Sequence, residues 1–481
     1  MSEQAASSVA GTMPSPVARL EPDAIGVAQD TVIGMASSAP AATVGLSIAA
    51  LAAATAYGAG AILLLTAIPM LIIANAYRRL NLWNANCGAT FEWVGRAINP
   101  YLGYLTGWLM VAAYIIGTVA EVLLLGPSVL AVFGSKSTNT GAYIAIGCAV
   151  GVIMLVIAVV GIRITARTQV GMAFVEYLIL VGLAVAGLVW VFGHHAGSVS
   201  PNIHWLSPSG VPGMGGSAVQ GSLIAVFVYG GWDGTLYVNE EVKHRRVNPG
   251  RAAIFAVALL AVIYTLSQVG MQGVLSGKEL TRASNQGTVL VAVAQTLGGG
   301  FWAKAMALSI ALSVIATTGT GIVLGARLVY GMASYRALPA FLSNVSRRFA
   351  TPVAASIMVG ALIIVFSTVY YLATSVQNAF FDVIDVTGFL FSIFYVMTAL
   401  AAIVYYRRRV FRSVWDALSL GILPLGAAGF LGWVLVKSLL GSQAAVNWSL
   451  VGIIAVGVVL MIIARFVFRS PFFQIRRESD M

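Results

Sequence analysis

Apolar residues in this chain come in long runs separated by short clusters of glycine, proline and charge. A helix needs about 20 apolar residues to cross a hydrocarbon core about 30 Å thick. The pattern predicts twelve membrane helices, at residues 24–56, 59–77, 101–132, 141–162, 169–192, 217–241, 252–275, 300–332, 352–373, 380–405, 414–438 and 447–468. A further apolar stretch, Val289 to Leu297, is too short to span and reads as a helix lying at the outer face.

Composition supports this reading. Apolar residues make up 59% of the 481 and charged residues only 9%, against about 25% charged in soluble domains. That excludes an ordinary soluble enzyme and a disordered chain, and it leaves the net charge of +11 to be explained. With the N-terminus inside, 22 of the 27 basic residues fall on cytoplasmic segments and helix ends, and only Lys136, Lys278, Arg282, Lys304 and Lys437 fall on the other face. The charge therefore reads as orientation in a cytoplasmic membrane, with both termini cytoplasmic. The basic runs at 243–246 and 407–412 directly follow spans, which favours anchoring over a nucleic-acid or lipid patch. Residues 1–22 read as a flexible cytoplasmic tail without a secretory signal, and Cys87 and Cys148 form no disulfide framework.

Two spans carry breaks. The first contains Gly34-Met35-Ala36-Ser37-Ser38-Ala39-Pro40 near mid-depth. Small residues followed by proline suit an unwound segment and a restarted helix, whose free amides and positive dipole end form a carboxylate site. The sixth contains Phe227-Val228-Tyr229-Gly230-Gly231-Trp232-Asp233, where glycines free carbonyls for an ammonium group. Packing of small residues is the plainer alternative for either break. Their spacing, five helices apart, predicts inverted repeats at 23–192 and 217–405 with a central site between them. An extracellular loop at 193–216, helices eleven and twelve at 406–468 and a cytoplasmic tail at 469–481 complete the division.

Acids at bilayer depth are functional candidates. Glu176 lies about 13.5 Å past Arg167 at helical rise, near the midplane. It suits either a proton-coupling role or a structural pairing with a backbone or hydroxyl donor. Asp233, about 15 Å before Lys243, suits cation recognition, pH sensing or an N-cap on the restarted half-helix. Glu121 is expected nearer the outer side. Ser309, Ser313, Thr317, Thr318 and Thr320 are sodium-ligand candidates that more simply bond their own helix. Asp382 and Asp385 share a face at the outer mouth and read as an outer gate or a solvated pair. Glu240 and Glu241 call for a partner among Arg96, Arg327 and Arg347, one use being a cytoplasmic gate. His194 and His195 lack further ligands at metal spacing, and no phosphate loop or nucleophile motif is present, so no cofactor and no enzymatic reaction are expected.

Three passages resemble the amino acid, polyamine and organocation transporter superfamily, and in particular its bacterial amino acid permeases. They are Asn75-Ala76-Tyr77-Arg78-Arg79-Leu80 with Asn86-Cys87-Gly88-Ala89-Thr90 and Gly103 to Trp108; Gly231-Trp232-Asp233 through Asn239-Glu240-Glu241 to Ala252; and Ala326 to Tyr330 with Leu338-Pro339 and Thr351-Pro352. The resemblance implies an all-α membrane fold of the leucine-transporter type, with substrate held between broken helices one and six. By analogy, amides around Ser37, Ser38 and Ala39 take a substrate carboxylate, and carbonyls near Met35, Phe227 and Gly230 take its amine. Phe227 falls at the family's aromatic gate, and Gly231 and Trp232 complete the binding segment. Glu176 falls where some proton-coupled relatives carry lysine. The expected activity is secondary active transport of an amino acid by alternating access with a coupling proton, its partners being the small-molecule substrate and the bilayer, with no nucleic acid. The rival is a polyamine or organic cation importer or exchanger, favoured if Asp233 and Glu176 bind ammonium groups. From another class, a channel or sensor is also consistent.

Overall fold

The computed structural model describes residues 19–135, 137–193, 202–207, 216–275, 289–373 and 376–479. Helices account for most of it: α1 Val27–Ala36, α2 Pro40–Thr55, α3 Ala59–Trp83, α4 Thr90–Ala97, α5 Pro100–Val122, α6 Leu125–Val132, α7 Thr140–Val160, α8 Ile162–Phe192, α9 Gly216–Tyr229, α10 Asn248–Gln272, α11 Val289–Ser334, α12 Val353–Ala373, α13 Val376–Tyr405, α14 Leu423–Gly441 and α15 Ala444–Phe466. Among the described residues, 11 helices are long and apolar enough to cross a membrane. The twelfth expected span, 217–241, is not one helix. It winds regularly from Gly216 to Tyr229 and then passes into 3-10 turns at Trp232–Leu236 and Asn239–Glu241. Val289–Leu297 is helical and runs into the following span through a kink at Gly298 and Gly299, the latter at φ 75°. His194, His195 and most of the 193–216 loop lie outside the described residues, as does the side chain of Asp382.

Most spans are apolar all round, so burial rather than periodicity sorts their faces. On α8, Phe174, Leu178, Val185 and Val189 are exposed, whereas Gln169, Glu176, Leu180 and Leu183 are buried. Gln169 and Glu176 therefore point into the bundle, where α8 meets α1, α10 and α11, while Arg163 and Arg167 near its start are exposed.

The chain ends of the bundle that carry the arginines are tied together. Ile25 forms an isolated parallel bridge with Val242, the Ala24 amide donating to the Glu241 carbonyl at 2.8 Å and the Lys243 amide to the Ile25 carbonyl at 2.9 Å. Arg327 of α11 grips the Glu241 carboxylate through Nε and Nη2 at 2.9 and 3.0 Å, both side chains fully buried. Of the three partners expected for this acidic pair, Arg96 is engaged elsewhere, with Glu92 and Glu478. The segment after α15 folds back beneath α4: Phe472 stacks on Phe91 at 3.9 Å, and the Glu478 amide donates to the Arg96 carbonyl at 2.8 Å.

Candidate functional site

Both expected breaks are present, and each turns on one residue with positive φ. Between α1 and α2 it is Ala39, at φ 44°. After α9 it is Gly231, at φ 105°, whose Cα faces the Ser37 carbonyl so closely that any side chain there meets it. The breaks thus pack against each other. Gly34 of α1 likewise lies against Thr235 and the Trp232 carbonyl.

The polar groups at the first break are arranged differently from the expectation. The Ser37, Ser38 and Ala39 amides are spent on the carbonyls of Ile33, Met35 and Ala36, at 3.0, 3.0 and 3.2 Å. The free donors lie one step on. Pro40 has no amide hydrogen, so the restarted helix exposes Ala41 and Ala42 first. Ala41 donates to Glu176 Oε1 at 2.9 Å and Ala42 to Ser313 Oγ at 3.3 Å. The anion site at the start of α2 is therefore filled by the carboxylate of the protein's own Glu176. Glu176 is fully buried and its other oxygen has no partner.

Hydroxyls of α11 do more than bond their own helix. Thr318 and Thr320 do so, but Thr317 donates to the Ala36 carbonyl at 2.7 Å, Ser309 to the Glu176 carbonyl at 3.1 Å, and Ser313 accepts from Ala42. They hold α1, α2 and α8 in register at the break.

Asp233 is not an N-cap. Gly231 occupies that position, and no side chain caps the turn. The buried Asp233 carboxylate accepts instead from Tyr237 and, at 2.8 Å, from Tyr395. Trp232 stacks on Tyr395 with ring centroids 5.4 Å apart and meets Tyr77 edge-on. The Tyr114 hydroxyl donates to the Gly231 carbonyl at 3.4 Å. This aromatic plug lies directly after the second break.

Between the breaks is a chamber whose walls include Ser37, Ser38, Thr43, Tyr114, Thr118, Glu121, Phe227, Gly230, Thr317, Gly321 and Phe391. Of the residues expected to bind substrate, Ser37, Ser38, Phe227 and Gly230 line it, while Met35, Ala39, Gly231 and Trp232 do not. Its void is about 30 Å³, room for a water or two and too small for an amino acid. Glu121, expected nearer the outer side, lines the chamber and is buried. Asp30, on α1, was not singled out by sequence reasoning, yet it is fully buried with both carboxylate oxygens unpartnered. Its place four residues into a helix that follows a charged segment gives no sign of this. A larger hollow of about 170 Å³ lies apart, between Ile116, Phe366, Val386 and Ile453, and no ionisable carboxylate or base lines it.

Two broken helices facing across a narrow chamber in a bundle of membrane-length helices are the architecture of a transporter. The chain belongs to the amino acid permease family, whose sequence profile matches residues 29–474. It is 29% identical over 200 residues to the mouse (Mus musculus) Asc-type amino acid transporter 1, covering 40% of this chain and 36% of that protein. It is 30% identical over 189 residues to the human (Homo sapiens) large neutral amino acids transporter small subunit 2, covering 39% and 32%. The matched stretch thus spans about a third of these relatives' length. Across 92% of the chain the fold is similar to that of a manganese transporter from Eremococcus coleocola, at TM-score 0.57 and 14% identity over 95% of that structure.

Proposed function

We propose that the protein is a secondary active carrier that moves amino acids across the cytoplasmic membrane by alternating access, with a proton as the coupling ion and both termini inside. In this reading residues 23–192 and 217–405 are the inverted repeats and α14 and α15 flank them. The observation that carries it is the Glu176 carboxylate on the Ala41 amide, where a substrate carboxylate is best received.

Protonation of Glu176 removes the charge that holds it to that amide, and the start of α2 is then free for the carboxylate of the cargo. Proton and cargo thereby enter together. Deprotonation restores the internal bond and expels the cargo. Asp233 with Tyr237 and Tyr395 forms the floor that separates the chamber from the cytoplasmic side.

The test is the purified protein in liposomes, given labelled amino acids with and without an inward proton gradient. A carrier gives saturable uptake, counterflow and gradient-driven accumulation. Glu176→Gln lowers accumulation relative to exchange by about tenfold or more, equivalent to ~1.4 kcal/mol. Flux that rises without saturation identifies a channel instead, and undiminished accumulation by Glu176→Gln removes the coupling role.

A further inference from the structure

Glu121 is the chamber's unfinished contact. Among the described residues that line the void, Glu121 Oε2 is the buried side-chain oxygen left without any hydrogen-bond partner. Its other oxygen fares little better. Oε1 lies 3.3 Å from the Thr43 hydroxyl, but that hydroxyl also points at the Ser38 carbonyl at 2.7 Å. A threonine hydroxyl has one proton to give, and the shorter contact takes it. Asp233 is held by Tyr237 and Tyr395 and one oxygen of Glu176 by Ala41; Asp30 and the second oxygen of Glu176 are also unpartnered, but neither residue lines the chamber.

We propose that Glu121 pairs with a positive charge on the substrate, so that the cargo is a net cation carrying an ammonium or guanidinium group on its side chain. The inference rests on the carrier reading and narrows its substrate class. An unpaired buried carboxylate is costly, and a cation that enters the cavity beside it removes that cost. The wall also carries the rings of Phe227 and Phe391, the kind of surface on which an alkyl-ammonium group rests favourably. An anionic amino acid adds charge of the wrong sign and is rejected.

The test is counterflow in liposomes loaded in turn with lysine, ornithine, putrescine, leucine and glutamate. The expected result is exchange of lysine or ornithine in preference to leucine, with no exchange of glutamate. Glu121→Gln raises the KM for lysine between about tenfold and about a hundredfold, the range of one hydrogen bond to a charged group, and Glu121→Asp recovers part of it. In the wild type, lysine raises the thermal unfolding midpoint in detergent more than leucine does, which reads binding should Glu121→Gln fold poorly. Exchange of putrescine alone keeps the Glu121 contact and identifies an amine without a carboxylate. Leucine carried in preference to lysine, with no change of KM in Glu121→Gln, overturns this inference and leaves the carrier reading standing. No exchange of any of the five by a monodisperse protein overturns both.

Discussion

Individual residues decide whether the chamber exists. Gly231 sits at φ 105° with its Cα against the Ser37 backbone. Gly231→Ala adds about 1–2 kcal/mol of backbone strain and a clash that separates the two breaks. A lowered unfolding midpoint and loss of counterflow are the expected readings. Ala39 also sits at positive φ, 44°, between the Ala36 carbonyl held by Thr317 and the Ala42 amide held by Ser313. The breaks were legible in the sequence because glycine, small residues and proline punctuate a helix by their own chemistry. The partners of the acids were less so. Rise per residue gives distance from a helix's own end, not height in a bundle, and this is why Glu121 seemed remote from the cavity it lines. A cap was one of three roles open to Asp233, because local sequence shows what precedes a turn and not that Tyr395 arrives from another helix.

At the scale of elements, the linker after the second break acts as a tie between α1, α3 and α11. Asn81 of α3 donates to the Arg245 and Arg246 carbonyls at 2.8 and 3.0 Å, and Asn239 donates back to Asn81 at 2.9 Å. The Glu241–Arg327 pair anchors this linker in a site closed to water. Arg327→Leu leaves a buried carboxylate without its counter-charge and costs about 3–5 kcal/mol, whereas an apolar double replacement of Glu241 and Arg327 costs much less. A double-mutant cycle on thermal stability in detergent checks this, and equal losses in the single and double variants would refute it. The sequence narrowed the partner to three arginines. Only packing of α11 against the linker distinguished Arg327, since Arg96 is turned toward Glu92 and the returning tail.

Across the whole molecule, the proposed alternating access requires the arginine-bearing end to open. The ties that must yield first are the backbone bonds between Ile25 and the Glu241–Lys243 stretch. A disulfide introduced by Ile25→Cys and Val242→Cys, with Cys87 and Cys148 replaced by serine, is expected to stop counterflow when oxidised and to restore it when reduced. Unimpeded exchange by the oxidised form would show that this end does not part during turnover. The bundle as a whole was readable from hydropathy, because water-poor surroundings force apolar helices regardless of their neighbours. The sixth span stops winding where its two glycines marked a break: fourteen regular residues are followed by 3-10 turns.

Glu176 resting on Ala41 has one more consequence. On the proposed reading the idle protein already contains a tenant for its most attractive berth, so an arriving molecule is weighed against that tenant and not against bare solvent. Measured affinity is then a difference between two carboxylates, one tethered and one free. Compounds that bind only as well as the tethered one leave no trace, however complementary their shape.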